Sequence, residues 1–388
     1  MTVPRWRLTK PLRARIREGH PWVYDRALAP VPAQLAAGDV ALLVDDEGPL
    51  ALAFADPASP IRARLLDVPE AVIDRGWKRA RAQAAAARRA RDPLLVGCTG
   101  RRIVHGEGDH CPGLVIDVYA DTAVVVFDGE ASAAFWRPAL AEVIDGIVAG
   151  GIAIAHVWVR AVRGVKQEGS AFRGNPPAEI AIAEDEAQFL VDVRHGQKTG
   201  FFLDQRENRR TIRKHAAGAS VLNLFSYSGG FSLHASLGGA THVTSVDIAP
   251  QAIATLHRNV ERSGLPKDAH EGVVADVFDF LARARKQGRS WDLVIVDPPS
   301  FAPNERAKPN ALAAYRKLAV VATEVVSAGG RFALASCSSH VTEPELLAMM
   351  ATVRPDARLR LVAGAGSDHP VLPGFAEGRY LKFLFFDV

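Results

Sequence analysis

In the second half of the chain, short apolar runs alternate with longer stretches in which apolar positions recur every three or four residues. The runs VLNL from Val221, VTSVD ending at Asp247, VVAD ending at Asp276, LVIV from Leu293 and FALAS from Phe332 are each four or five residues long. Near-continuous apolar runs of that length, bounded by turn residues, are the pattern of strands buried on both faces. The stretches between them carry helical periodicity. From about residue 186 onward this alternation predicts a mostly parallel sheet with helices on both faces, an α/β domain.

The first half reads differently. VALLVDDEG, LALAFA and RARLLDV are short runs closely spaced by turns, which predicts a small β-barrel over residues 1–70. An alanine- and arginine-rich helix is expected from about 72 to 92. LVIDVY and AVVVFD, separated by Ala120, Asp121 and Thr122, predict a hairpin, followed by a helix over about 131–148 and a strand in IAHVWVRAV. RGNPPAE, from Arg173 to Glu179, has the glycine and prolines of a turn or linker. The expected division is therefore 1–70, an α+β region over 71–185, and the α/β domain over 186–388.

Composition narrows the class. A length of 388 residues exceeds one compact core. Hydrophobic residues at 48% and charged residues at 23% are ordinary for a soluble chain. No apolar run approaches the roughly 20 residues of a membrane span, and MTVPRWRLTKPLRARIR lacks the apolar centre of a secretory signal. Cys98, Cys111 and Cys337 are odd in number and far apart, which fits neither a disulfide framework nor a metal site. A reduced, cytoplasmic protein with a thiol available for chemistry is expected. The net charge is only +4, but Arg5, Arg7, Lys10, Arg13, Arg15 and Arg17 fall within the first 17 residues, where there is no acid. A second cluster comprises Arg75, Lys78, Arg79, Arg81, Arg88, Arg89 and Arg91. Such clusters attract phosphate backbones. With Trp6, Trp22 and Tyr24 close by, nucleic acid is the expected partner of the first; a solvated helix face competes equally for the second.

The chemistry concentrates at the predicted strand ends of the α/β domain. Phe225, Ser226, Tyr227, Ser228, Gly229 and Gly230 form a turn into a helix, and its glycines let backbone approach a ligand. The full GxGxxG fingerprint of a dinucleotide site is missing. Asp247, with Ile248 after it, lies 24 residues beyond Asn223, a spacing at which a carboxylate can accept from a ribose diol. Asp276, followed by Val277 and Phe278, is placed for an adenine amine and ring. Each acid could instead cap the next helix; three at successive strand ends favour a nucleoside site. Asp297-Pro298-Pro299-Ser300-Phe301 follows the next strand. Its carboxylate and carbonyls suit the amino edge of a base, with Phe301 for stacking. Cys337, set among Ser336, Ser338 and Ser339, is a candidate nucleophile, whereas Cys98 and Cys111 read as structural.

Taken together, these segments resemble the bacterial family of large-subunit (23S) ribosomal RNA cytosine-5 methyltransferases that carry an N-terminal PUA domain. The likeness runs nearly the whole length. HPWVY and SPIRARL look like the PUA module, GEGDHCPGLVIDVY like the central RNA-binding domain, and DVRHGQKTGFFLDQREN like the hairpin that leads into the catalytic domain. NLFSYSGGF, SVD, ADVF, DPPSF and SCS then follow in the family's order. The resemblance implies a Rossmann-like class I domain with a mostly parallel seven-stranded sheet and S-adenosylmethionine as donor. It places Asp247 on the ribose, Asp276 on the adenine, the Phe225–Gly230 loop along the methionine, and Cys337 as nucleophile. Large-subunit ribosomal RNA is the implied partner, no membrane is involved, and a homodimer is left open. The best-known members have a lysine after the proline pair where this chain has Ser300. Asp297 would hold the protonated ring edge of a cytosine adduct, with Pro298, Pro299 and Phe301 against the base. Two rivals stand beside this reading: nitrogen methylation (guanine N7 or an exocyclic amine), in which Cys337 is idle, and a non-catalytic RNA-binding assembly factor.

Overall fold

The structure, a computed structural model, describes residues 3–162, 168–302 and 304–388. Its chain forms two compact units, each assembled from separate segments. Unit 1 is Met1–Ile180, Val191–Phe201 and Ser367–Gly378; unit 2 is Ala181–Leu190, Phe202–Gly366 and Arg379–Val388. Among the described residues no helix is long and apolar enough to cross a membrane.

Unit 1 begins with β1 (Arg5–Arg7), α1 (Arg13–Arg17), β2 (Trp22–Tyr24), β3 (Val40–Asp45), β4 (Gly48–Ala55) and β5 (Ile61–Asp67), in one sheet of order β1-β3-β4-β5-β2. Two-residue periodicity in β1 turns Arg5 and Arg7 outward and Trp6 into the core beside Val23, Leu43 and Ala53. The Trp6 indole donates to the Ala29 carbonyl at 2.9 Å. Trp6 is therefore core and is corrected out of the nucleic-acid-facing aromatics, while Tyr24 remains 38% exposed.

Next come α2 (Arg75–Ala90), β6 (Gly100–His105), β7 (Leu114–Tyr119), β8 (Thr122–Phe127), α3 (Glu130–Trp136), α4 (Leu140–Ala149), β9 (His156–Val159) and β10 (Ser170–Arg173). The strands form a second sheet of order β10-β9-β8-β7-β6. The hairpin turn is tighter than expected: Ala120 adopts φ 53° and Thr122 already belongs to β8. The single helix expected over 131–148 is two. A 3₁₀ turn over Arg137–Ala139 separates them, because Pro138 has no N–H to continue the ladder. Helix α2 lays Ala82, Ala85 and Ala86 against α4, where a Cβ on Gly150 would come within 2.6 Å of the Ala86 methyl. Small residues on both sides permit this close crossing.

Several members of the arginine cluster on α2 pair with acids of unit 1, whereas Arg79 and Arg91 are exposed with no acidic partner among the described residues. Arg89 is buried and grips both oxygens of Asp109 at 2.6 Å, Arg88 reaches the same carboxylate at 2.8 Å, and Arg81 pairs with Asp67 at 2.5 Å. Arg75 pairs with Glu142. Lys78 lies 3.7 Å from the Phe135 ring centroid, and burial with the neighbouring Arg75 pushes its ammonium down to about 8. The segment Ser367–Gly378 completes unit 1: Phe375 packs on Trp22 with ring centroids 4.5 Å apart, Asp368 accepts from the Arg102 amide at 2.8 Å, and Gly374 meets the Glu18 carbonyl with no room for a Cβ.

A hairpin of β11 (Glu179–Glu184) and β12 (Ala187–Asp192) has its central part, Ala181–Leu190, in unit 2. Unit 2 continues with α5 (Arg206–His215), β13 (Ser220–Leu224), α6 (Gly230–Leu237), β14 (His242–Asp247), α7 (Pro250–Arg262), β15 (His270–Val274) and α8 (Val277–Lys286). It closes with β16 (Trp291–Val296), α9 (Lys308–Thr323), β17 (Val326–Ser336), α10 (Glu343–Val353), β18 (Arg358–Ala363) and β19 (Lys382–Asp387). The seven strands order as β15-β14-β13-β16-β17-β19-β18, and β19 alone runs against the rest. Leu222, Leu224, Val294 and Val296 enter one core with α8, α9 and α10. Val221, Leu293 and Ile295 enter the other with Ile212 of α5 and Phe231 of α6. Both faces are thus covered, which is why these strands read as continuous apolar runs. At the hairpin tip, Glu184 is buried; Arg209 donates to it at 2.6 and 2.5 Å, and the His234 ring nitrogen lies 2.9 Å from it. Burial alone would raise this carboxyl, but Arg209 and His234 hold it well below the usual range.

Candidate functional site

The sheet order reverses between β13 and β16, and ligands in open α/β sheets bind at the carboxyl edge of such a switch point. Reading across that edge from β15 to β17, the chain places Asp276, Asp247, the Phe225–Gly230 loop, Asp297 and Cys337 in order. Four strand spacings separate the first from the last, about 19 Å at roughly 4.8 Å each. That is long enough for a nucleoside with a side arm at one end and a flat ring at the other.

The loop after β13 is strained and firmly held. Phe225 and Tyr227 adopt φ of 58° and 46°, a left-handed conformation that is costly for bulky residues. The Ser226 amide donates to the Val246 carbonyl at 3.0 Å, and the Tyr227 amide to Asp247 Oδ2 at 2.8 Å. Gly229 has φ 87°, and a Cβ there would press on Leu256 at 2.9 Å. The Phe202 ring meets that of Tyr227 edge-on, 5.4 Å between centroids. The hydroxyls of Ser226 and Ser228 are buried with no hydrogen-bond partner among the described residues. Buried polar atoms left unpaired in a strained loop are what a polar ligand would satisfy.

Both acids meet backbone and keep capacity beyond it. Asp247 takes the Tyr227 amide on Oδ2 and the Ala249 amide on Oδ1, at 2.9 Å; an ionised carboxylate has roughly four acceptor positions, so two remain. Asp276 caps α8, its Oδ1 accepting from Phe278 and Asp279 at 2.8 and 3.2 Å. Its Oδ2 accepts from no described group. Helix capping and ligand binding are therefore compatible here. Because Asp247 pairs in register with Val274, Asp276 lies just beyond it on the neighbouring strand. Ile248 is 69% exposed, Val277 is buried, and Phe278 is half-buried with the Lys317 ammonium 4.8 Å from its ring centroid.

At the other end, β16 and β17 pair in parallel with Val296 opposite Leu334, so Asp297 and Cys337 leave adjacent strands at the same edge. Cys337 is partly exposed, whereas Cys98 and Cys111 are buried, and burial pushes the Cys111 thiol up. Pro298 is buried, Pro299 and Ser300 are exposed, and Phe301 packs on Tyr315 at 4.9 Å. Tyr315 donates to Ser336 Oγ at 2.9 Å; burial raises its phenol, and the charges of Cys337 and Asp297 add to that. One phenol thus senses both the thiol and the acid.

Two residues here escaped the sequence reading: Tyr315 on α9 and Lys382 at the start of β19. Lys382 had a signal. In KFLFFD it alternates with Leu384 and Phe386, on the side of the strand that enters the core. Its amine donates to the carbonyls of Ser338 and Tyr380.

Residues 159–387 match the model of a family described as S-adenosylmethionine-dependent methyltransferase, and residues 7–67 match a PUA-like domain. A ribosomal RNA large subunit methyltransferase of Deinococcus radiodurans is 38% identical, over 98% of this chain and 96% of its own. Ribosomal RNA large subunit methyltransferase I of Pseudoalteromonas translucida is 34% identical over 95% of each chain, and that of Escherichia coli 33% over 97% of each. In fold, a methyltransferase crystal structure complexed with SAH superposes over 100% of both chains with a TM-score of 0.86 at 24% identity.

Proposed function

The chain belongs to the S-adenosylmethionine-dependent methyltransferase family, and from that premise we propose that it methylates carbon-5 of a cytosine in large-subunit ribosomal RNA through a covalent adduct on Cys337. The relatives that match over nearly the full length are ribosomal RNA large subunit methyltransferases. The observation that carries the finer reading is the placement of Asp297 and Cys337 beyond adjacent parallel strands, on the same edge as the strained loop.

The residues of that edge fit the cofactor. Asp247 would accept from the ribose diol and Asp276 Oδ2 from the adenine amine, with Ile248, Val277 and Phe278 supplying apolar surface. Phe225 to Gly229, with the two unpaired serine hydroxyls, would line the methionine. When bound, S-adenosylmethionine supplies an electrophilic methyl group on sulfonium. Carbon-5 of cytosine is too weak a nucleophile to take it unaided. The Cys337 thiolate adds to carbon-6, forming an S–C bond and making carbon-5 enamine-like. Asp297 holds the protonated ring edge, stabilising charge that develops only after attack, while Pro298, Pro299 and Phe301 border the base. Carbon-5 would then take the methyl group, leaving the donor sulfur as a neutral thioether, and loss of the carbon-5 proton to a base re-forms the double bond and expels the thiolate. A base inside folded RNA must be unstacked to arrive, which costs a few kcal/mol; residues 1–70 and 71–185 are assigned the RNA contacts that offset this.

Cys337→Ala is expected to abolish methyl transfer and leave donor binding intact. RNA with 5-fluorocytosine at the target should trap a covalent complex, because fluorine cannot leave as a proton. Retained activity in Cys337→Ala with no trapped complex would make nitrogen methylation the better reading.

A further inference from the structure

Lys382 is a buried ammonium held against the segment that carries Cys337, and nothing in the methyl-transfer scheme above uses it. Its backbone is in register with Ser336 across the β17–β19 pair, one residue before Cys337. The side chain is 6% exposed. It donates to the carbonyl of Ser338, the residue just after Cys337, and to that of Tyr380 at 3.1 Å. An ammonium has three N–H donors, and the third meets no acceptor among the described residues. The segment that carries the thiol is thus clamped from one side by a cation taken out of water.

We propose that Lys382 is a positioning residue that holds the Cys337–Ser338 segment over the sheet edge and keeps the Cys337 sulfur as thiolate. This rests on Cys337 as the nucleophile. Burial pushes the Lys382 ammonium down to about 8, while Cys337 and Glu345 pull it back up. A free thiol titrates near 8.5. The pair therefore titrates as a unit: attraction between ammonium and thiolate favours the charged form, and burial opposes it. Other charged or titratable groups face the pair: Asp297 after β16, Tyr315 on α9 and Glu345 on α10. Glu345 is itself engaged by Lys308 at 2.8 Å and by Thr342.

The test is the pH dependence of Cys337 alkylation by iodoacetamide in the full chain, since Cys98 and Cys111 are buried. In Lys382→Met the midpoint should rise by about one pH unit or more. Lys382→Gln, which keeps a donor for the Ser338 carbonyl but no charge, should shift likewise, and Lys382→Arg should stay near wild type. Calorimetric binding of S-adenosylhomocysteine checks that each variant is folded. An unchanged midpoint in folded Lys382→Gln overturns the proposal. If the midpoint shifts but Cys337→Ala stays active, the Lys382–Cys337 coupling stands and the adduct mechanism is what fails.

Discussion

Helix α2 and the carboxyl edge of the seven-stranded sheet each gather charges of one sign, and the fold treats them in opposite ways. On α2, Arg75, Arg81, Arg88 and Arg89 are answered by Glu142, Asp67 and Asp109, and Lys78 is buried on an aromatic ring, leaving Arg79 and, just past its end, Arg91 exposed without an acidic partner among the described residues. At the sheet edge, Asp247 and Asp276 meet only backbone amides and keep acceptor positions beyond them. A cluster of like charge thus reports on a ligand only when the fold leaves it unanswered. By that rule the cations on α1 and its flanks divide as well. Arg13 and Arg15 are matched by Asp45 and Glu377, whereas Arg5, Lys10 and Arg17 are exposed with no acidic partner among the described residues.

The largest effect that sharpens this contrast is expected at a fully answered charge. Glu184→Gln strips Arg209 of its buried carboxylate and should cost about 3–5 kcal/mol in denaturant unfolding. Because the folded carboxyl lies below its unfolded value, its stabilisation is complete above about pH 4.3 and is lost as pH falls below that. Wild-type stability should drop across that acid range and the variant's should drop less; identical profiles would remove Glu184 from the account.

At the unanswered acids the loss should appear in binding. Asp247→Ala is expected to weaken S-adenosylmethionine by about 1.5–3 kcal/mol, one to two decades, by calorimetry. An unaltered dissociation constant would take Asp247 out of the site. For RNA, Lys10→Ala and Arg17→Ala should each lower the slope of log affinity against log salt by about one, and Arg88→Ala should leave it unmoved. A slope change in Arg88→Ala would break the rule that answered cations are not available to phosphate. Least affected is the exposed pair Arg75–Glu142, where Arg75→Ala should change stability by less than about 1 kcal/mol.

Much of unit 2 was legible because its strands are buried on both faces, so each reads as an apolar run and its end as a polar punctuation. Asp247, Asp276, Asp297 and Cys337 are those punctuations. Trp6 misled because a strand three residues long shows no periodicity beyond arginines on either side of one tryptophan. The partners of the α2 arginines were hidden for another reason: Asp67, Asp109 and Glu142 lie 14 to 67 residues away. Tyr315 gave no sign, since a tyrosine on a helix with many buried neighbours reads as core, and it is core as well as neighbour to the thiol.

The docking of Ser367–Gly378 into unit 1 bears on the order in which the protein is made. Phe375 against Trp22, Asp368 against Arg102 and Gly374 against Glu18 cannot form until those late residues leave the ribosome. Residues 202–366 are synthesised in between, which takes on the order of ten seconds at about 5–20 residues per second. During that interval the chain's first sheet stands without its last segment. The face of Trp22 that Phe375 will cover stays open to chaperones, and a nonsense mutation anywhere before 367 would leave unit 1 unfinished as well as unit 2.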